Sequence, residues 1–561
     1  MTEASVFLRI EQDMLEGIDP NQIQDIEGAR QAIVMLLNLI EDLKSENQEL
    51  REQNQRLRDE INRLKGEQGK PNIKPNRKKR TSSNHSSEQE RRKPKKWKKR
   101  RKLIKIDRVQ VLSVEPERLP ADARFKGYED VIVQDIAIRT DNVLFRKKKY
   151  HSQSENKTYL ANLPRGYKGQ FGPGIKSLAI VMSFGMQATE PKIIEFLEHF
   201  GIQISLGEMS NILIKDKTTF HAEKDAIYES GLRSSPWQHT DDTGARMNGQ
   251  NGYSHVMCNP FYTAYFTKEK KDRLTVLEVL RNSEKRFFRL DEKAFALLNE
   301  FRLPAKVIRQ LQDLPQDREL SETEFIGSLK EHLPKLGPRQ RDRVLDAAAV
   351  AAYQAQSELP VVHLLVCDDA PQFKLVTEEL ALCWVHDGRH YKKLTPHVAH
   401  HRELLDAFLK RYWDFYGQLR DYRGHPTSEG HTRLEKKFDK LFSTVTGYDA
   451  LDERIAKTKA KKSSLLMVLD HPEVPLHNNS AELGARRQVR KRKISFGTRS
   501  KDGKKARDTF ATLAATAKKL DVSFYKYIYD RVSAAYEMPS LADLITERAE
   551  ELQLGASWHP P

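Results

Sequence analysis

Cysteine is scarce in this chain: three in 561 residues, Cys258, Cys367 and Cys383. They make no Cys-x-x-Cys pair, which excludes a disulfide-rich framework and fits a reducing cytosol. Long apolar runs are also missing. The longest, SLAIVMSF at 177–184, falls far short of the roughly 20 residues that span a bilayer. The opening MTEASVFLRIEQDM lacks the basic-then-apolar layout of a secretion signal. The chain is therefore expected to be soluble and intracellular. What it has in excess is positive charge, a net +17 with a pI near 9.4. That favours a polyanionic partner, nucleic acid first and an anionic membrane surface second. At 38% hydrophobic and 31% charged residues, a sizeable core alternates with long solvated segments, so several domains are expected.

Leu36, Leu43, Leu50, Leu57 and Leu64 recur every seven residues. With these at d, the a positions are Ile33, Ile40, Asn47, Asn54 and Ile61. Ile at a with Leu at d favours two parallel strands, and Asn at a fixes register at a cost in stability. In a parallel pair Glu46 at g faces Arg51 at e, and Glu60 faces Lys65. The spacing predicts a dimeric coiled coil rather than a lone solvated helix. The chain then turns polar and very basic. RRKPKKWKKRRK at 91–102 has ten Lys or Arg in twelve residues. With little to bury, this linker is expected to be disordered. Lys95, Lys96, Lys98, Lys99, Arg100 and Arg101 would neutralise DNA phosphates without reading sequence, and Trp97 could stack on a base. The bland alternative is a solvated spacer. A basic-zipper regulator is disfavoured, because its basic region precedes the zipper and here it follows.

Residues 130–163 alternate and break at polar turns, which reads as a three-stranded meander. In 188–216, Thr189 and Pro191 can open one helix and Gly201 can close it. Ser205 and Glu208 form a capping box for the next. That layout suits a helix-turn-helix and equally an ordinary helical hairpin. In SPWQHTDDTGARMNG, 235–249, a strand-like run ends in Asp241 and Asp242. Two more strands follow, with a turn at Asn259-Pro260, then a helix over 272–283. Three strands and a helix with acids on the first strand suggest the start of a ribonuclease-H-like α/β core. After a helical insert, LPVVHLLVCDDAPQF (359–373) again ends in acids, Asp368 and Asp369. A further strand follows in LALCWVHDGRHYKKL (380–394). HNNSAELGARRQVRKRKISFGTRS opens a helix carrying Glu482. Carboxylates at two adjacent strand ends and on one helix could hold two magnesium ions, which want hard oxygen ligands and suit phosphodiester chemistry. Taken singly, each acid pair is more simply a solvated turn. Cys383 and His386 have zinc-like spacing, but no second pair lies nearby, so core packing is preferred; His386 and His390 could orient the site.

HTDDTGAR, LLVCDDAPQF, CWVHDGRHYKKL, HNNSAELGARRQVRKRKISFGTRS and FATLAATAKKLDVSFYKYI resemble successive blocks of a bacterial DDE transposase of the insertion-sequence-sixty-six family. The resemblance runs from about Gly166 to Val532. It implies Asp241, Asp368 and Glu482 as catalytic, metal-holding residues, magnesium as cofactor with manganese as its substitute, and double-stranded DNA, both element ends and target, as substrate. It leaves Asp242 and Asp369 open within their pairs; strand neighbours point to opposite faces, so one of each should reach the metals. Two departures stand out. The family's cysteine-rich zinc segment is missing from 104–165, and the helix block reads Ala-Glu-Leu where the family tends to Ala-Glu-Arg. After Glu482, Arg486, Arg490 and Lys493 share its helix face, with Arg487, Lys491 and Arg492 on the flanks; all six are candidate phosphate contacts.

The expected fold class is a multidomain α/β protein, a ribonuclease-H-like core with helical insertions. The divisions are an N-terminal segment 1–29, coiled coil 30–66, basic linker 67–105, β meander 106–165 and helical DNA-binding region 166–230. Core parts at 231–283, 359–398 and 473–535 are split by helical insertions at 284–358 and 399–472, and 536–561 is a tail. The reading is a transposase, dimeric or higher, cytoplasmic and nucleoid-associated, away from membranes, with room for accessory proteins. The alternatives are a metal-dependent nuclease that does not join DNA, or an inactive DNA-binding regulator.

Overall fold

The computed structural model describes residue 23 and residues 25–65, 106–120, 122–136 and 138–558. The expected linker, with Lys95, Lys96, Trp97, Lys98, Lys99, Arg100 and Arg101, lies outside the described residues. Helix α1, Ile26–Leu64, runs 39 residues. It is built from Leu, Glu, Gln and Arg, good helix formers, with no proline and a single glycine in its first turn. Asp25 Oδ1 accepts from the Gly28 amide at 2.6 Å and closes its N-terminus.

The three-stranded meander expected over 130–163 is not what forms. The described residues of 106–148 contain no strand, and a two-stranded hairpin follows, β1 Lys149–Ser152 and β2 Lys157–Leu160. Val131, Val133, Ile136, Ile138 and Val143 keep the alternation but stay exposed. Alternation supplies a face; a strand also needs a neighbour for its backbone hydrogen bonds.

Four helices come next: α2 Pro173–Ile180, α3 Glu190–Glu198, α4 Leu206–Ile214 and α5 Thr218–Arg233. Gly201, at φ +72°, ends the α3 segment, and Ser205 Oγ accepts from the Glu208 amide at 3.2 Å to cap α4. Thr189 sits at the α3 cap position without a side-chain hydrogen bond.

The centre of the molecule is a five-stranded mixed sheet. β3 Trp237–Met247, β4 Gln250–Cys258 and β5 Thr263–Lys268 form an antiparallel meander. β8 Leu364–Cys367 and β9 Glu379–Leu382 add on in parallel, giving the order β5-β4-β3-β8-β9. Alternation sorts the two faces. Val256, Tyr265, Ala485 and Ala511 pack together on one side, under α17 Asn479–Ser495 and α18 Lys501–Lys519. Met257, Ala264, Phe266, Leu365 and Cys367 join the main core on the other side, which includes Tyr228 and Leu232 of α5 and Val276 and Leu280 of α6, Arg273–Leu280.

Between β5 and β8 the chain makes helices α7 Glu292–Glu300, α8 Ala305–Leu311, α9 Glu322–His332 and α10 Pro338–Gln354, with a short pair β6 Phe287–Phe288 and β7 Leu320–Ser321. The strand expected within 380–394 forms as β9, which ends at Leu382; the rest of the segment, Trp384–Lys393, is a helix, α11. Next come α12 Ala399–Gly424, α13 Ser428–Leu441, α14 Asp449–Lys459, α15 Lys462–Leu465 and α16 Met467–Asp470. After α18, α19 Phe524–Val532 and α20 Leu541–Leu552 close the fold. Among the described residues, no helix is long and apolar enough to cross a membrane.

Candidate active site

Asp241 and Asp242 do not sit where their strand stops. β3 runs on to Met247, paired with β4 throughout, Asp241 opposite Val256 and Asp242 opposite His255. What stops is the parallel pairing with β8, at His239↔Val366. Two residues further on each strand lie Asp241 and Asp368, so both acids stand at the edge where β8 ends and the β3–β4 hairpin projects beyond it.

The period of two then separates each pair. Trp237, Leu364 and Val366 share a small core on one face, and Val256, the partner of Asp241, lies under α17. Asp241 and Asp368 continue that face; Asp242 and Asp369 continue the other. The other face carries its own cations. Asp242 meets Lys271 Nζ at 3.5 Å and accepts from Gln372 Nε2 at 2.8 Å. Asp369 meets Lys374 Nζ at 2.9 Å and is paired with Lys461. Among the described residues no such ion pair forms on Asp241 or Asp368. Asp241 accepts only from the Asp242 amide, at 2.9 Å, and Asp368 from the Ala370 amide, at 3.2 Å.

The electrostatics follow. Burial first, then the charges of Asp368, Asp242 and Glu482, push the Asp241 carboxyl up to about 7. Asp369 goes the other way: burial raises it, but Lys461 and Lys374 outweigh that and hold it below the ordinary carboxylate range. One aspartate in each pair is thus neutralised by the protein. Asp241 is left with repulsion that a bound cation would relieve.

Glu482 is delivered by the first turn of α17, and Asn478 fixes that turn in place. Asn478 Nδ2 donates to the Thr240 carbonyl at 2.7 Å, Oδ1 bonds His239 Nδ1 at 2.9 Å, and its amide donates to Cys383 Sγ at 3.2 Å. Because the side-chain nitrogen of Asn478 is already donating, Oδ1 must accept and His239 carries its proton on Nδ1. Burial drives His239 down to about 3, so it stays neutral. Gly484, two residues past Glu482, lets the helix approach β4: a Cβ there would lie 2.8 Å from Val256 Cγ1.

On its outer side Glu482 is held by α11. Arg389 Nη2 donates to Oε2 at 3.2 Å, and His386 Nδ1 lies 3.4 Å from Oε1. Arg389 Nη1 also donates to His386 Nε2 at 3.0 Å, which places the imidazole proton on Nδ1, facing Glu482. Cys383, His386 and Glu482 offer ligand atoms within 4.8 Å of one another. Cys383 is a poor member of that set, since burial pushes its thiol up to about 11 and Sγ is occupied by the Asn478 amide. His390 is half-buried and further along the helix, with its pKa lowered mainly by burial.

The six cations of α17 divide. Arg486, Arg490 and Lys493 are exposed on the face of Glu482. Arg487, Lys491 and Arg492 instead meet backbone carbonyls of the protein itself. Arg487 donates to the Phe184 carbonyl at 2.7 Å, Lys491 to the Ser183 and Ala188 carbonyls at 3.1 Å each, and Arg492 to the Gly244 carbonyl. For Arg487 and Lys491 the reason is a π-helical turn over Val181–Gly185, whose carbonyls take partners from α17. Burial lowers Lys491 to about 8.

Asn478, His239, Arg389 and Gln372 were given no role from sequence. A signal existed for two of them. His239 lies two residues before Asp241, on the same strand face, and Asn478 lies four before Glu482 in the same block.

A sequence model described as the transposase IS66 family matches residues 354–506. That stretch holds Asp368, α11 and Glu482; Asp241 precedes it. The chain is also 33% identical over 324 residues to the uncharacterized protein y4jO of Sinorhizobium fredii (strain NBRC 101917 / NGR234), a match covering 58% of this chain and all of that protein.

Proposed function

Because the chain belongs to the IS66 transposase family, we propose that it cuts the ends of an insertion sequence and joins the freed 3′-hydroxyl to target DNA, using Asp241, Asp368 and Glu482. One observation carries this reading. Within each aspartate pair, the member on the Glu482 side has no cation of its own among the described residues, while its neighbour is neutralised by lysine. The sheet supports a ribonuclease-H-like core: an antiparallel meander whose first strand lies centrally, followed by two parallel strands on its far side. The same fold with other residues would carry no such function.

The residues fit a pair of divalent cations such as Mg2+ or Mn2+, since three carboxylates of separate elements offer hard oxygen ligands and burial, then the neighbouring acids, raise the Asp241 carboxyl to about 7. Bound there, the metals would supply Lewis-acid activation of the attacking oxygen and charge neutralisation at the leaving one. The chain's own residues do the rest. Asn478 and Gly484 set the α17 turn against β3 and β4. His386 and Arg389 hold Glu482 at the mouth of the site. Arg486, Arg490 and Lys493 extend along the same helix face as the track for DNA phosphates.

The test is cleavage and joining of duplexes that carry the element's ends, in magnesium. Asp241→Ala, Asp368→Ala and Glu482→Ala should each lower activity by about three orders of magnitude or more, with Asp242→Ala and Asp369→Ala far closer to the parent. Full activity in any of the first three would remove that residue from the site. Cleavage without joining would make the protein a nuclease. DNA binding without either would make it a regulator.

A further inference from the structure

Helix α1 is buried on the face where an amphipathic helix is normally exposed. Its large apolar residues lie in the open: Ile33, Leu36, Ile40, Leu43, Leu50, Leu57, Ile61 and Leu64 are 39–77% exposed. Its buried members are polar, Asn38 at 5% and Glu41 at 6%. At 100° per residue, these two and Val34 lie on roughly the opposite side of the helix from the leucine seam.

The polar face is docked on the second helical insertion. α12 has no side-chain cap of its own, Val398 standing at the cap position. Glu41 supplies one from 356 residues away, accepting from the His397 amide at 2.5 Å, the Val398 amide at 2.8 Å and His401 Nδ1 at 3.2 Å. α14 also lacks a side-chain cap at Tyr448. There Asn38 Oδ1 accepts from the Asp449 amide at 3.3 Å, and its Nδ2 donates to the Gly447 carbonyl at 3.0 Å. Burial raises the Glu41 carboxyl, but the two amides and His401 outweigh it and lower it overall. His401 in turn stacks on Tyr448, with ring centroids 4.3 Å apart. One short stretch of α1 thus caps two insertion helices, a carboxylate at one helix N-terminus and an amide oxygen at the other.

We propose that α1 joins two bodies at once: its Asn38–Glu41 face is a fixed joint to the insertion of its own chain, and its leucine seam receives α1 of a second copy, in parallel. The occupant follows from the seam itself. Glu46 and Glu60 at g complement Arg51 and Lys65 at e of an identical parallel helix, and Asn47 and Asn54 meet their own counterparts. Where the seam passes the body, a shallow groove of about 400 Å³ between Ile40, Leu43, Asn47 and His397 leaves space beside it. The two interfaces use different faces, so neither excludes the other. The joint is also linked to the acids through the fold. α14 carries Arg454, paired with Asp387 of α11, and Lys461 just beyond it pairs with Asp369. Dimerisation would therefore fix the placement of two catalytic bodies rather than tether them loosely. None of this depends on the proposed chemistry.

The experiment uses the full chain. All three native cysteines are buried, so an introduced thiol reacts against a quiet background. Leu43→Cys and Leu57→Cys should each form an interchain disulfide with itself, and Glu52→Cys, on the outer face, should not. Antiparallel helices would join Leu43→Cys only to Leu57→Cys, which would overturn the parallel pairing. Leu43→Glu with Leu57→Glu should halve the mass in light scattering; an unchanged mass would overturn the seam. Asn38→Ala with Glu41→Ala should keep the dimer mass while amide exchange at 397–401 and 447–452 rises at least tenfold, with Glu41→Gln between. Unchanged exchange there would overturn the joint, and loss of the dimer would overturn the independence of the two faces.

Discussion

At the scale of the residue, the surroundings of Asp241 disfavour its charge. Its carboxyl is raised to about 7 from an ordinary 3.8, by burial and by Asp368, Asp242 and Glu482. The consequence for stability has a definite sign. Between about pH 4 and 7 the folded protein keeps a proton that the unfolded chain has lost, so the Asp241 contribution to stability falls as pH rises through that window. Asp241→Asn removes this cost. In chelator, its melting temperature should exceed the parent's by a margin that grows from about pH 4 to 7, approaching at most about 4 kcal/mol in stability. Equal melting at both ends of the range would show that the carboxyl is not raised. Excess divalent metal should close the gap by binding the parent alone. Lysine makes the complementary point. Lys271, Lys374 and Lys461 neutralise Asp242 and Asp369, and nothing in the spacing of the acids announces that.

At the scale of the element, α17 decides whether the acids meet. Gly484 lies where α17 crosses β4, and a methyl group there would reach within 2.8 Å of Val256. Gly484→Ala sets two effects against each other: about 1 kcal/mol of helix propensity gained, and about 1–3 kcal/mol of overpacking. Overpacking should win, because the clash is with a sheet residue that has no free direction to move. Urea unfolding should show a net loss of stability, with a larger fractional loss of cleavage as Glu482 is pushed outward; a stabilised, fully active variant would show that the helix does not rest on the sheet there. The elements also show how far sequence pattern reaches. The strands and helix of 237–280 were legible because their alternation and turns are local. The meander was not, because strands are made by neighbours, and the described residues of 130–145 find none. α11 did not stand out because Cys383 and Trp384 continue the apolar run of β9; in the fold Trp384, the first residue of α11, packs against Tyr412 and Phe415.

At the scale of the whole molecule, charge governs the encounter with DNA. A chain with net charge +17 should bind duplex DNA with an affinity that falls steeply as salt rises. Replacing Arg486, Arg490 and Lys493 together by Gln should flatten the log–log slope by about 2–3, roughly one unit for each phosphate that no longer has a cation beside it. Lys491→Met should leave the slope unchanged, since that ammonium is spent on the Ser183 and Ala188 carbonyls. Filter binding over a salt series distinguishes the two. An equal effect from both would return all the cations of α17 to the DNA.

The sequence alone determined the heptad seam of α1, the two acid pairs, the helix that carries Glu482 and the resemblance to a transposase. These are features of short range, where period and residue type carry the information. Tertiary structure alone decided which aspartate of each pair is met by lysine, which cations of α17 bond the protein's own carbonyls, and which face of α1 is already occupied. The first depends on Lys271, Lys374 and Lys461, which come from outside the two acid pairs, and the others on residues more than two hundred positions away, such as Phe184 at Arg487 or His397 at Glu41. Folding alone brings such partners within hydrogen-bond distance, and no local pattern encodes them.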